Sequence, residues 1–377
     1  MPAFNGNVGV TSGRALYIAS TPETTFDTAV TPTHKLLHAA DWAPLVSGAT
    51  VINDRDYANG NITDFPTSDL LVDRRMNGTV SLWAGVESLP MIIAKTASND
   101  TYGATGKHVI AAPDRPHFVA GTTIEEHTYG GQIDANRDNR FTGVCFDSWD
   151  LAWGGPGFAT LAVDLVGTGS RVGTGLAADP ANVPNKFLTS AKIRSSFQRA
   201  TTVGNTLCDA VPTAFSATAG AFNTADTGAS LASHLITKAS LKWSNGLTDG
   251  RHGGTSLTSD VVGGMPFAAQ RSCLFSCEMI LDETSEVFMR AFQDRTAINE
   301  WAWMFDFAGH TTLYGGCIQL PITALLAPPV LSTGRGPVSM SLVFDARKSS
   351  LVAQAALAIM RAVFHNGDAA AYSAAAA

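Results

Sequence analysis

Charge is what this chain has least of. Only 15% of its 377 residues are Asp, Glu, Lys or Arg, and acids outnumber bases by 32 to 25, for a formal charge of −7. No stretch gathers Lys and Arg. That excludes a protein that grips nucleic acid by neutralising phosphates, although not a surface past which DNA slides without sticking. Cysteine is scarce too: Cys145, Cys208, Cys273, Cys277 and Cys317 are odd in number and widely spread. That pattern argues against a disulfide framework, and assembly in a reducing cytoplasm is expected. The N-terminus shows neither the basic stretch nor the apolar run of a signal peptide. The most apolar stretch, Leu351 to Phe364, is broken by Gln354 and Arg361. It is too short for about 30 Å of hydrocarbon, so a soluble protein with no membrane partner is expected.

Catalytic signatures are missing as well. The nine histidines show no HExxH spacing, and no GxSxG elbow is present. His127 stands near Glu125 and Glu126, yet the sequence supplies no nucleophile for such a base. Asp134-Ala-Asn136-Arg-Asp138 opens like a calcium loop, but the Gly and Glu that loop needs are replaced by Asn139 and Cys145. Cys273 and Cys277 on a strand stand about 13 Å apart, with no His-rich partner for zinc. The glycine-rich run Gly167 to Gly175 lacks the Gly-Lys-Ser/Thr ending of a phosphate loop. The expectation is a non-enzymatic protein with no catalytic residue, metal or cofactor.

What the chain does have is 45% apolar residues and enough length for two cores. It also repeats itself in outline. Gly155-Pro156 is followed by seven residues and Asp164, and Gly336-Pro337 by seven residues and Asp345. The shift is 181 in each case (337 − 156 and 345 − 164), and it carries Leu161 onto Leu342. Phe141–Cys145 resembles Tyr314–Ile318, and Arg75–Ala97 reads like Arg271–Gln293. A repeat of that length implies one β-rich domain used twice.

Period-two alternation marks strands at Thr79–Trp83, Cys273–Leu281 and Trp301–Phe307, and after each Gly-Pro turn at Ala159–Val166 and Val338–Phe344. The tryptophans Trp83, Trp301 and Trp303 fall in strands, where core packing explains them. Short helices are expected at Glu87–Ala97, with Pro90 in its first turn, and at Thr284–Asp294, capped by Thr284 or Ser285. A third, over Ser350–Asn366, would end at Asn366-Gly367 and be buried. Residues 1–35 read as an arm and Ala49–Arg75 as a long polar excursion between strands. The tail after Asp368 reads as frayed. The domains are expected at 1–175, arm included, and 236–377, with 176–235 as a linker or insertion that contains some strand.

In this order the motifs resemble the tail tube (major tail) proteins of long, flexible-tailed bacteriophages. The matching features are the opening Gly-Asn-Val-Gly-Val-Thr-Ser-Gly, the stretch Thr63-Asp-Phe-Pro-Thr-Ser-Asp-Leu-Leu with Arg74-Arg75, and Asn77-Gly-Thr-Val-Ser-Leu-Trp83 before the first helix. Thr122-Thr-Ile-Glu-Glu126 leading into Phe141–Cys145 completes them. The match covers most of residues 5–170 and, more loosely, 236–346. The Ala/Thr/Ser-rich linker and the Ala-rich end depart from a simple member.

The resemblance implies a mainly β fold: two tandem tail-tube-like barrel or sandwich domains, each with a short packed helix, plus the C-terminal helix. It implies stacked rings around a channel that conducts double-stranded DNA without specific binding and houses the tape-measure protein. Single-domain members form hexameric rings. The duplicated type, to which this chain's length points, forms trimers with pseudo-six-fold symmetry. Tail terminator and distal tail proteins are the further partners, and the virion tail is the expected location. An acidic wall suits such a conduit because it repels phosphates. Asp150, Asp164, Glu278 and Asp345 on wetter strand faces are the candidate channel-lining residues. Asp54, Arg55, Asp56, Asp64 and Asp69 in the polar excursion are the candidates for ring stacking, with the N-terminal arm second. The rival reading is a β-sandwich virion surface, receptor-binding or adhesion module, which exposed loop aromatics would favour. A hydrolase on a β scaffold is the third and weakest.

Overall fold

The computed structural model describes residues 13–36, 46–53, 69–103, 106–112, 117–129, 139–168, 171–172, 187–200, 207–208, 215–216, 221–222, 230–232, 235–248, 267–268, 270–293, 300–308, 314–333, 336–348, 358–366 and 371–372. The fold is mainly β, with antiparallel pairing throughout and two short helices among these residues. The first half contributes β1 (Gly13–Ile18), β2 (His34–Leu36), β3 (Val46–Asn53), β4 (Asp69–Trp83), α1 (Ser88–Ala97), β5 (Thr101–Gly103), β6 (Lys107–Ala111), β7 (His117–Phe118), β8 (Thr122–Tyr129), β9 (Asn139–Gly154), β10 (Thr160–Gly167) and β11 (Arg171–Val172). The second contributes β12 (Ile193–Arg199), β13 (Phe215–Ser216), β14 (Ala221–Phe222), β15 (Ser230–Leu231), β16 (Ile236–Ser244), β17 (Leu247–Thr248), β18 (Phe267–Ala268) and β19 (Ser272–Ile280). It continues with α2 (Glu286–Gln293), β20 (Glu300–Ala308), β21 (Gly315–Leu325), β22 (Val330–Leu331), β23 (Ser339–Ala346) and β24 (Arg361–His365).

The same six antiparallel pairings occur in both halves. In the first, β2–β1, β1–β8, β8–β9, β9–β10, β10–β4 and β4–β3 form a chain of neighbours. In the second, β15–β12, β12–β20, β20–β21, β21–β23, β23–β19 and β19–β16 follow the same order. Each half places a helix directly after the strand at the corresponding position, α1 after β4 and α2 after β19.

Three pairings join the halves among the described residues, the shortest of them between β7 of the first and β18 of the second. β16 lies along the C-terminal part of β9, from Lys238 opposite Gly154 to Ser244 opposite Ser148. The first part of β9 belongs to β8 instead, so one 16-residue strand serves both neighbours on the same edge. β24 closes the other side: it pairs with β21 of the second half and β6 of the first.

Alternation builds the core. Along β10, β19 and β23 every second residue is buried, and those residues form one continuous apolar cluster with Trp149, Trp243 and Trp303. In the second half Phe288 of α2 inserts among Phe197, Trp301, Trp303 and Phe344, with ring centroids 4.7–5.8 Å apart. Aromatic pairs at such spacing add to the burial term. α2 begins on a reciprocal bridge, in which Asp282 N–H donates to Ser285 Oγ (2.8 Å) and Ser285 N–H to Asp282 Oδ1 (2.8 Å). Ser285, one of the two expected caps, therefore acts together with Asp282.

Three expectations need correction. The C-terminal helix is not formed over 361–365, which is the strand β24. Ala362 and Phe364 enter the main core while Val363 packs with Cys317 and Val109, so both faces are buried. A strand buried on both faces loses its alternation and reads as a continuous apolar run. The tail is not wholly frayed: Tyr372 is fully buried, stacked on His108 at 4.3 Å, and its N–H donates to Asp100 (2.9 Å). The excursion at Ala49–Arg75 is shorter than its composition implies, because 46–53 and 69–77 pair as β3 and β4. The 176–235 stretch, expected to contain some strand, holds β12, which runs beside β20 over seven residues.

Candidate functional site

Residues directly opposite in an antiparallel ladder share a face. From β4 through β10, β9, β16 and β19 to β23 the ladder is unbroken, so one face can be read row by row. One row is Thr79, Asp164, Ser148, Ser244 and Ser272. The next is Ser81, Ala162, Asp150, Lys242, Leu274 and Asp345. A third runs Lys238, Glu278, Ser341 and Val330. All four acids expected at a channel wall, Asp150, Asp164, Glu278 and Asp345, therefore lie on the same face of one continuous sheet. This is the face opposite the core, and all four are half-buried.

Each carboxylate is held by a neighbour. Asp164 accepts from Thr79 Oγ1 (2.6 Å) and from Ser148 Oγ (2.5 Å). Asp150 accepts from Ser240 Oγ (2.5 Å), Glu278 from Ser339 Oγ (2.9 Å) and Asp345 from Arg347 Nε (3.0 Å). Asp164 and Asp345 hold corresponding places on β10 and β23, the strands that follow the two Gly-Pro turns.

The face is not a purely acidic wall. β16 brings Lys238, Ser240, Lys242 and Ser244 to it while Ala239, Leu241 and Trp243 point into the core. Those lysines and the many hydroxyls were missed in the sequence, although the alternation of Ile236–Ser244 carries the signal. The result is a hydroxyl-rich surface with a small excess of acids, each held in place by a neighbour.

Of the stacking candidates, Asp54, Arg55, Asp56 and Asp64 lie outside the described residues, as do the first twelve residues of the N-terminal arm. Asp69 opens β4 opposite Asn53. Beyond Met76, where β10 ends, the outer part of β4 is paired with β3 alone among the described residues.

Two sets of reactive groups among the described residues are sealed. Asp100 and His108 bond at 2.9 Å, but both side chains are fully buried beneath Tyr372. Burial pushes the thiols of Cys145, Cys273, Cys277 and Cys317 well above their ordinary range, which keeps them protonated and unreactive. No helix among the described residues is long and apolar enough to cross a membrane.

No protein-family model matches the chain, and no curated protein is significantly similar to it.

Proposed function

We propose that this chain is a structural subunit of a long-tailed bacteriophage tail tube. In this reading two tail-tube-like β domains per polypeptide build a ring, rings stack, and the tube houses the tape-measure protein and then conducts double-stranded DNA. The observation that carries it is the sheet face that gathers Asp150, Asp164, Glu278 and Asp345 across both halves. A conduit wall must hold acids in fixed positions so that phosphates are repelled along the path. It should also lack a pocket in which cargo could lodge. The recurrence of six pairings supports the duplicated type, whose trimer imitates a six-fold ring. The two-stranded extension of β3 and β4 is the stacking element in this reading, and multivalent contact around a ring makes weak single contacts sufficient.

One observation favours the rival adhesion or receptor-binding module. Trp83, Phe158 and Phe187 form a cluster with centroids 5.2–5.7 Å apart beside the Gly155-Pro156 turn, and Phe158 is 45% exposed.

Negative-stain microscopy of the purified chain separates the two. Rings or tubes with a central hole are expected, and compact monomers would transfer support to the adhesion reading.

A further inference from the structure

Between β1 and β2 the chain leaves the sheet as a strap over residues 19–33, much of it exposed. Its two ends are pinned together: Thr33 N–H donates to the Ile18 carbonyl (3.0 Å) and Ser20 N–H to Thr33 Oγ1 (3.0 Å). A loop closed at its neck is a compact body that can swing as one piece. Along its span two carboxylates hold it to the sheet. Glu23 accepts from Gly143 N–H (3.0 Å) on β9, Thr123 Oγ1 (3.0 Å) on β8 and Asp27 N–H (2.9 Å). Asp27 accepts from Thr142 Oγ1 (2.6 Å) and Thr168 Oγ1 (3.0 Å). Glu23 N–H and Val30 N–H complete the contact, on the Gly121 carbonyl and Thr123 Oγ1 (both 2.9 Å). Phe26 packs on a small apolar floor of Val119, Cys145 and Ala268.

Unfavourable features collect beneath this strap. The two non-glycine residues with left-handed backbone among the described residues are Asp27 (φ 65°) and Ser98 (φ 50°). Ser98 Oγ accepts from Ala120 N–H (3.2 Å), next to the Gly121 contact. Gly121 meets Glu23 so closely that a Cβ would stand 2.5 Å from Oε2, and at Gly143 (φ 62°) one would stand 3.2 Å from Asp27 Oδ1. Burial pushes the Glu23 carboxyl above its ordinary range in spite of its donors. Lys95 of α1, which Glu23 attracts, is buried with no hydrogen-bond partner for Nζ among the described residues. Left-handed backbone, a buried charge and an orphaned donor each cost free energy, and such costs gather at switch regions. The equivalent loop of the second half, between β12 and β15, is held differently. There Gln319 Nε2 and Arg361 Nη2 donate to the carbonyls of Leu207 and Cys208 (3.3 and 2.7 Å). A buried acid is therefore not what the shared fold requires at this place.

We infer that the strap at residues 19–33 is a conformational switch, which swings off β8 and β9 as a unit while the strands of both halves stay paired. Glu23 bonds both strands, so its departure releases the strap from each at once. The closed form seals Cys145, whose Sγ donates to the Val119 carbonyl (3.5 Å). The open form presents that thiol and the apolar floor around it. Opening spares the ladders, because the strap meets β8 and β9 mainly through side chains laid over the sheet. Its free energy therefore lies below that of global unfolding. The inference holds whatever assembly the chain enters.

The test is pulsed labelling of the native protein with N-ethylmaleimide, read at each cysteine by peptide mass spectrometry. Cys145 should react about tenfold faster than Cys273, which is equally buried in the main core and reports global unfolding. Gly121→Ala should raise the Cys145 rate several-fold further and leave Cys273 and the far-UV circular dichroism unchanged, because the added Cβ displaces Glu23 and no ladder. Amide exchange gives a second readout that needs no variant. The N–H groups of Glu23, Asp27, Val30 and Gly143 should exchange through one common opening, ahead of the β9–β10 ladder. If Cys145 of the wild type reacts no faster than Cys273, both thiols wait for global unfolding and the inference is overturned. Strap amides as protected as the ladder would overturn it equally.

Discussion

Trp149 of β9 stands directly opposite Trp243 of β16, and both indoles are completely sealed from solvent at the junction of the two halves. Trp243 Nε1 donates to Asn245 Oδ1 (3.0 Å), and Asn245 Nδ2 in turn donates to the carbonyls of Thr96 and Phe146. The second half is thus bonded to both α1 and β9 of the first.

Replacing Trp243 by Ala should therefore cost about 3–5 kcal/mol, the range for emptying a large aromatic site. It also leaves Asn245 without a donor. Urea unfolding of the wild type should show one transition for the whole chain, and the variant should separate into two. A variant that keeps a single, equally steep transition would show that the junction does not couple the halves.

Lys95 is buried in α1, and that burial pushes its ammonium down to about 7, against some opposing attraction from Glu23. Between that value and its ordinary 10.5 the unfolded chain holds a proton that the folded chain does not. Stability should rise with pH across this window, by at most about 1.4 kcal/mol per pH unit from this group. Lys95→Met should flatten the rise and stabilise the protein near pH 7. Denaturant melts at pH 7 and pH 9 check this, and an unchanged slope in the variant refutes it.

Tyr372 fastens the end of the described chain to the first half through His108 and Asp100, and Asn366 Nδ2, just after β24, donates to its hydroxyl at 2.7 Å. Tyr372→Ala should destabilise by about 2–4 kcal/mol. Amide exchange should rise first in β24 and β6, and a uniform rise over the whole sheet would contradict the local role.

Gly316 lies opposite Phe364, and a Cβ there would sit 2.1 Å from the ring. Gly316→Ala should cost about 1–3 kcal/mol by overpacking. A thermal midpoint equal to wild type would mean that the ring moves aside freely.

The conduit reading makes its own demand on charge. Asp150→Lys/Glu278→Lys/Asp345→Lys should leave the circular dichroism spectrum intact and confer affinity for duplex DNA that falls steeply with salt, whereas wild type shows none. Fluorescence anisotropy at 50 and 200 mM salt measures it, and DNA binding by wild type would count against a repelling wall.

Much of this arrangement was legible in the residues. The Gly-Pro turns, the strands after them and the two short helices follow from turn chemistry and period two, and so does the outward placement of the four acids. What could not be read was which strands meet. Nothing local in Asn139–Gly154 says that one edge is shared between β8 and β16, and that sharing is what makes the acid-bearing face continuous. β24 hides its period because both of its faces are buried, which leaves a continuous apolar run that a helix would share. The lysines of β16 reach the same face because Lys238 and Lys242 alternate with the buried Ala239, Leu241 and Trp243.

The closing strand has a consequence for biogenesis. β6 waits for β24, some 250 residues further along (361 − 111), and the late part of β9 waits for β16. A nascent first half emerging from the ribosome therefore presents two unsatisfied ladders with apolar surroundings, at a stage when sticking to a sister chain competes with correct closure. Slow, chaperone-sensitive maturation at high expression is the expected cost of stitching the termini of the fold together this way.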